Sequence, residues 1–270
     1  MPLISINRTE IYYEYFQENT PKGTIVFLNG VMASTDSWES FVSFFRERGY
    51  SILLHDFRGQ LKSAKPDEDI SFDDHLEDLS ELLKRLGIDK VILAGTSYGG
   101  EVALCFSVKY PEMVSKIIVI DSVSELNSLM ETAISSWITA AKTGNGASFY
   151  KHALPWLYSS SFIKKNMKML KEREDRMAGI PEEYYAGQIR LYKTFLSLNI
   201  TSELQKITCP ALIICGENDI LKPPSFSRII AGKIKESELF IIPDCGHVAI
   251  FEKPEELKTL ISGFLNKSSS

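Results

Sequence analysis

The strongest constraint on this chain is a rhythm in which short, continuous apolar runs recur between segments of helical spacing. The runs "TIVFLN", "SILLHD", "KVILAG", "KIIVID", "ALIICG" and "ELFIIPD" begin at Thr24, Ser51, Lys90, Lys116, Ala211 and Glu238. Runs this short and this apolar read as strands buried on both faces, the pattern of a parallel sheet. Parallel strands need long crossovers, and the helical patterns between the runs supply them. From Ser71 to Leu86, the residues Leu76, Leu79, Leu83 and Leu86 fall at helical spacing, Ser71 and Asp74 resemble a capping box, and Gly87 ends the helix. Further helices are expected from Trp38 through Phe45 (Asp36 or Ser37 as N-cap), over "YGGEVALCFSVKY", near Ser225–Ile234 and over Pro254–Leu265. "ISI" and "IYYEYF" predict a hairpin turning at Asn7-Arg8. The fold class is therefore α/β, a mostly parallel central sheet with helices on both faces.

The rhythm breaks after Asp121. Helical patterns continue to about residue 201 without a strand, and the alternation then resumes with "ALIICG". A chain of 270 residues accommodates one large domain carrying an insert. The expected organisation is a core of residues 1–123 and 202–270 with a helical cap, residues 124–201, over the C-terminal edge of the sheet. Open α/β sheets place their ligand sites at that edge. The insert is rich in aromatics, and Trp137 and Trp156 are candidates to touch a largely apolar substrate.

Composition narrows the function. A net charge of -5 argues against a nucleic-acid surface. The basic run Lys164, Lys165, Lys168, Lys171 and Arg173, interleaved with Met and Leu, reads as the solvated face of a helix. No apolar stretch approaches the ~20 residues needed to span a bilayer, so no membrane partner is expected. Arg8 and Glu10 precede any long apolar run, so no secretory signal is read. Cys105, Cys209, Cys215 and Cys245 have neither metal-type spacing nor disulfide density, and read as reduced thiols of a cytoplasmic protein. No metal and no cofactor is expected. The low-complexity sequence is confined to the terminal serines.

Chemistry enters at "AGTSYGG", Ala94 to Gly100. A bare G-x-S-x-G arises by chance in about one chain in ten of this length, so the motif alone settles nothing. Its position is more telling, because Ser97 falls between a strand and a helix, at the sheet's C-terminal end and near a helix N-terminus. A serine nucleophile needs a general base, and the base needs an orienting acid. Four histidines compete for the role of base. His55 ends a strand, where lining a site and packing are equally open. His75 sits among acids early in an amphipathic helix and is expected to be exposed. His152 has no acidic neighbour in sequence. His247, in "PDCGHVAIFEKPEE", follows a strand at the active edge and is preferred. For the acid, Asp219 in "CGEND" is preferred, and Asp121, which also ends a strand, is the second candidate.

With "LNGVMAS", "HDFRGQLKS", "GTSYGG", "GEND" and "CGHVAIFEKPEEL" in this order, the chain resembles small capped α/β-hydrolases, which include enol-lactone hydrolases, carboxylesterases and meta-cleavage-product hydrolases. The resemblance implies a Ser97–Asp219–His247 triad and an oxyanion hole made by the backbone N–H groups of Val31 and Tyr98. Two departures stand out. Asn29 replaces a histidine that commonly precedes Gly30, and Leu61 replaces the second glycine of an R-G-x-G-x-S pattern. Asp56, Arg58 and Ser63 are read as staples of the loop. The expected activity is hydrolysis of a carboxylic ester or lactone through an acyl-enzyme on Ser97. The alternatives are acyl transfer from a thioester to an alcohol or thiol, and C–C hydrolysis of the meta-cleavage type. A non-catalytic ligand-binding role is disfavoured because all three triad positions are filled.

Overall fold

A computed structural model describes residues 3–267; the terminal serines noted above lie outside the described residues. The strands are β1 (Leu3–Ile6), β2 (Thr9–Phe16), β3 (Thr24–Leu28), β4 (Ser51–His55), β5 (Val91–Thr96), β6 (Val114–Ile120), β7 (Ala211–Gly216) and β8 (Ser237–Ile242). They form one sheet in the order β1-β2-β4-β3-β5-β6-β7-β8. The expected hairpin pairs β1 with β2 and joins the sheet antiparallel at β4, while β3 through β8 run parallel. Asn7 and Arg8 both take positive φ at the hairpin turn, as a tight two-residue connection requires.

The apolar runs are buried on both faces because successive side chains point to opposite sides. Val26, Leu93, Ile117 and Ile213 enter one core, whereas Phe27, Ala94, Ile118 and Ile214 enter the other. The second core is covered by α1 (Glu39–Arg46) and, after the last strand, by α10 (Pro254–Leu265). The first is covered by α2 (Phe72–Arg85), α3 (Tyr98–Lys109) and α8 (Pro224–Lys233). Four helices lie between β6 and β7: α4 (Ser128–Ala141), α5 (Gly146–Leu157), α6 (Ser160–Met177) and α7 (Glu182–Phe195). Their buried residues, among them Trp137, Phe149 and Leu191, are continuous with the first core. The short α9 (Ala249–Glu252) precedes α10.

Two local expectations fail. Neither Asp36 nor Ser37 caps α1, because both fall inside a 3-10 turn, Thr35–Trp38, that feeds directly into the helix. That turn is fixed from outside, where Thr35 donates its N–H to Asp56 Oδ1 at 2.8 Å. His75 is buried, not exposed. It shares the inner face of α2 with Leu79 and Leu82, and its ring packs against Phe57 and Tyr98. The Ser71–Asp74 capping box does form. Among the described residues no helix is long and apolar enough to cross a membrane.

Candidate active site

β5 passes into α3 through Ser97, whose φ of 52 lies in the left-handed region that non-glycine residues avoid. Holding it there costs about 1–3 kcal/mol, so the surroundings must enforce it. They do so from several sides. The Ser97 N–H donates to Ile120 O at 2.8 Å, and its carbonyl accepts from Gly100 N–H at 2.9 Å and from Ser122 Oγ at 2.8 Å. The bend is tight enough that a Cβ at Gly95 would meet the Gly99 carbonyl, and one at Gly99 would meet the Leu28 carbonyl. Gly95 and Gly99 of "AGTSYGG" are thus dictated by close backbone approach and Gly100 by the Ser122 side chain, and the bend they permit presents the serine hydroxyl at the sheet's C-terminal edge.

The loop after β8 brings His247 to that hydroxyl, with Nε2 2.9 Å from Ser97 Oγ. Its Nδ1 lies 2.8 Å from Asp219 Oδ2, in the loop after β7. The other carboxylate oxygen of Asp219 accepts the N–H groups of Leu221 and Lys222 at 2.9 and 2.8 Å. With Nδ1–H directed at a carboxylate, Nε2 is left bare to accept a proton from Ser97. Asp121 does not reach the imidazole. Its carboxylate accepts from Gly216 N–H at 2.9 Å and Ala249 N–H at 3.1 Å, tying the loop that carries Asp219 to the segment after His247. Burial, reinforced by the neighbouring Asp219 charge, holds the Asp121 carboxyl well above the usual range. His152 is exposed, and its Nδ1 lies 2.7 Å from Ser148 O. His55 packs edge-on against Phe57.

Asp121, Cys215 and Asp219 bring ligand-type atoms within 4.8 Å of one another. The carboxylates already serve backbone N–H groups and His247, and burial pushes the Cys215 thiol far up, so it is held protonated. That donor set fits a hydrogen-bonded support for the loops better than a cation site.

The turn after β3 supplies the opposite wall. Asn29, fully buried, donates through Nδ2 to His55 O, Asp56 Oδ1 and Gln60 Oε1 at 3.0, 3.1 and 3.2 Å. Gln60 Nε2 donates in turn to Gly30 O at 2.8 Å. The turn is therefore fixed by side chains from the β4 loop, with Asn29 in the place of the more usual histidine. Asp56 accepts Lys62 N–H at 3.0 Å and Ser63 Oγ donates to Asp56 O, while Arg58 pairs with Asp78 at 2.7 Å; these are the staples read in the sequence. Among the described residues neither Val31 N–H nor Tyr98 N–H has a hydrogen-bond acceptor, and both residues line one cavity with Ser97 and His247.

That cavity, open to solvent, is roofed by Trp137, Tyr150, Leu157 and Arg173 from the inserted helices. Trp137 is among the residues that line it. Trp156 does not line the cavity: Tyr150 and Leu157 face inward two turns apart on α5, and Trp156, one residue before Leu157, is rotated off that face. Arg173 also departs from expectation. The lysines of its run are solvated, but Arg173 turns inward, donates to Tyr158 Oη at 3.1 Å and sits over the Tyr150 and Phe251 rings.

Two charged residues at the site escaped sequence reasoning altogether. Glu101 on α3 is fully buried and accepts from Lys222 Nζ at 2.7 Å and Val123 N–H at 3.1 Å. Lys222 Nζ also donates to Ser97 Oγ at 3.1 Å and lies 4.4 Å from the centroid of the Phe195 ring. Burial raises the Glu101 carboxyl, with the Lys222 charge opposing that shift. The signal was present: Glu101 is the lone charge in the apolar stretch "GGEVALCF".

Residues 23–254 match the model of a family described as alpha/beta hydrolase fold. The chain is 26% identical to a proline iminopeptidase of Saccharolobus solfataricus over 95% of its own length and 89% of that protein. Among solved structures it resembles an alpha/beta hydrolase enzyme from a Medee basin deep-sea metagenome library, with a TM-score of 0.95, 30% identity, and coverage of 100% of this chain and 98% of that one. An enol-lactonase from Burkholderia xenovorans superposes with a TM-score of 0.87 over 98% of this chain and 100% of that one, at 19% identity, which is a likeness of fold.

Proposed function

The chain belongs to the alpha/beta hydrolase family, and on that premise we propose that it is a serine hydrolase that cleaves a carboxylic ester or lactone through an acyl-enzyme on Ser97. The reading rests above all on His247, which stands 2.9 Å from Ser97 Oγ through Nε2 and 2.8 Å from Asp219 through Nδ1. Ser97 Oγ attacks the carbonyl carbon as its proton passes to His247 Nε2. Asp219 stabilises the imidazolium so formed. The carbonyl oxygen, now an oxyanion, takes the N–H groups of Val31 and Tyr98, donors of a kind whose removal costs ~3 kcal/mol. Collapse expels the alkoxide, which takes the proton back from His247. Water, deprotonated by His247, then attacks the acyl carbon, and Ser97 leaves as the hydroxyl.

The same reading treats residues 124–201 as a cap that closes an apolar, aromatic acyl pocket over the core of 1–123 and 202–270, with Trp137 on the substrate side. Four unpaired thiols suit a reducing compartment, which we take to be the cytoplasm. A 4-nitrophenyl ester series from acetate to octanoate tests the activity. Turnover that vanishes in Ser97→Ala is expected, and equal background rates for the two proteins would refute it. Product analysis with an acyl thioester and an alcohol or thiol acceptor separates hydrolysis from transfer, because only transfer yields an acylated acceptor.

A further inference from the structure

The buried lysine beside the serine is the group least explained by a three-residue mechanism. We infer that Lys222 is a further catalytic residue, which donates to Ser97 Oγ throughout the cycle and acts chiefly on deacylation, with Glu101 as the residue that positions it. The inference rests on the serine-hydrolase reading above. Three partners hold the ammonium in place: Glu101 Oε1 at 2.7 Å, Ser97 Oγ at 3.1 Å and the Phe195 ring, 4.4 Å to its centroid. Side-chain exposure is 3% for Lys222 and 0% for Glu101, so the ammonium is almost wholly withdrawn from water.

The direction of the effect follows from what Oγ is in each step. In the free enzyme Oγ is the nucleophile, its proton directed at His247, and a cation on its lone pair withdraws electron density from the attacking atom. In the acyl-enzyme the same oxygen is the bridging atom of an ester. A hydrogen bond to it now makes the acyl carbon more electrophilic toward water. When the carbon–Oγ bond breaks, the electron pair stays on Oγ, the proton comes from His247, and Lys222 stabilises the charge that appears in between. Lys222 donates a hydrogen bond and keeps its proton, so the balance of the reaction is unchanged. Glu101 keeps the ammonium from being a lone buried charge.

Burst kinetics with 4-nitrophenyl acetate separate the two steps. In Lys222→Met the steady-state, deacylation-limited rate is expected to fall about 10- to 100-fold while the burst rate falls by less than about 3-fold. The burst amplitude then rises to one per active site, and acetylated Ser97 accumulates in the intact-mass spectrum. Lys222→Arg should recover part of the steady-state rate. The double variant Lys222→Met/Glu101→Leu removes both charges and should show the same split in a folded protein if the single variant is unstable. An unchanged deacylation rate, or burst and steady-state rates falling together in the double variant, overturns the role of Lys222. Wild-type protein that forms no adduct with a fluorophosphonate overturns the serine-hydrolase reading itself, and the inference with it.

Discussion

Trp38 donates its indole N–H to Asn29 Oδ1 at 2.9 Å, and both side chains are fully buried. Asn29 thereby joins the aromatic core beneath the sheet to the turn that carries Val31. Replacing it with alanine strands the Trp38 N–H and removes the side-chain contacts by which Asn29 helps tie the turn to the β4 loop. An unpaired buried donor costs about 1–3 kcal/mol. Asn29→Ala should therefore unfold at lower urea and lose at least ~10-fold in ester turnover, through the misplaced Val31 N–H. Unchanged turnover alongside reduced stability would separate this network from the oxyanion site.

The strained backbone of Ser97 yields an opposite pairing of stability and activity. Both Ser97→Gly and Ser97→Ala should lose turnover, but only glycine occupies a φ of 52 without strain. Ser97→Gly should outlast Ser97→Ala in urea by ~1 kcal/mol. Equal midpoints would mean the surrounding bonds, not the residue's own preference, set the energy of the bend.

Glu101 and Lys222 form a buried pair with a side-chain exposure of 0% and 3%. Removing one charge leaves the other stranded, at a cost of about 3–5 kcal/mol, whereas removing both is far milder. Glu101→Leu is expected to be the less stable protein and Lys222→Met/Glu101→Leu the more stable one. A thermal-melt series shows the order, and additive losses would argue against a coupled pair.

Burial lowers His55 to about 4 and His75 to about 3, against 6.5 for a free imidazole. The Arg58 charge adds to the burial effect at His75. Below pH 6.5 the unfolded chain takes up protons that the folded protein refuses. This part of the stability is therefore complete above pH 6.5 and is lost as the pH falls toward the folded values, by ~1.4 kcal/mol per pH unit for each histidine. His75→Phe, which keeps an aromatic ring against Phe57 and Tyr98, should lose about 2 kcal/mol less between pH 7 and pH 5 in urea titrations. Parallel losses would place the acid sensitivity elsewhere.

Much of this molecule could be read from its sequence, and the failures share a cause. The parallel strands were legible because burial on both faces leaves no polar alternation to disguise them, and Ser97 because its glycines sit where the backbone closes on itself. Asp121 and Asp219 are alike in sequence, each near the end of an apolar run. Only the path of the loops shows that Asp121 accepts Gly216 and Ala249 N–H groups while Asp219 accepts His247. Arg173 stands in a run of lysines, but one residue of a basic helix can turn inward while the others stay in water. The acidic neighbours of His75 suggest a solvated face, yet one of them, Asp78, is itself buried against Arg58. Lys222 and Glu101 lie 121 residues apart, and no local pattern joins them.

Intact-mass spectrometry after treatment with one equivalent of a fluorophosphonate tests whether Ser97 is a nucleophile activated by His247. A single phosphonyl adduct mapped to Ser97 is expected, absent in Ser97→Ala and formed at least ~100-fold more slowly in His247→Ala. An unlabelled wild-type protein, or an adduct that forms equally fast without His247, would contradict it.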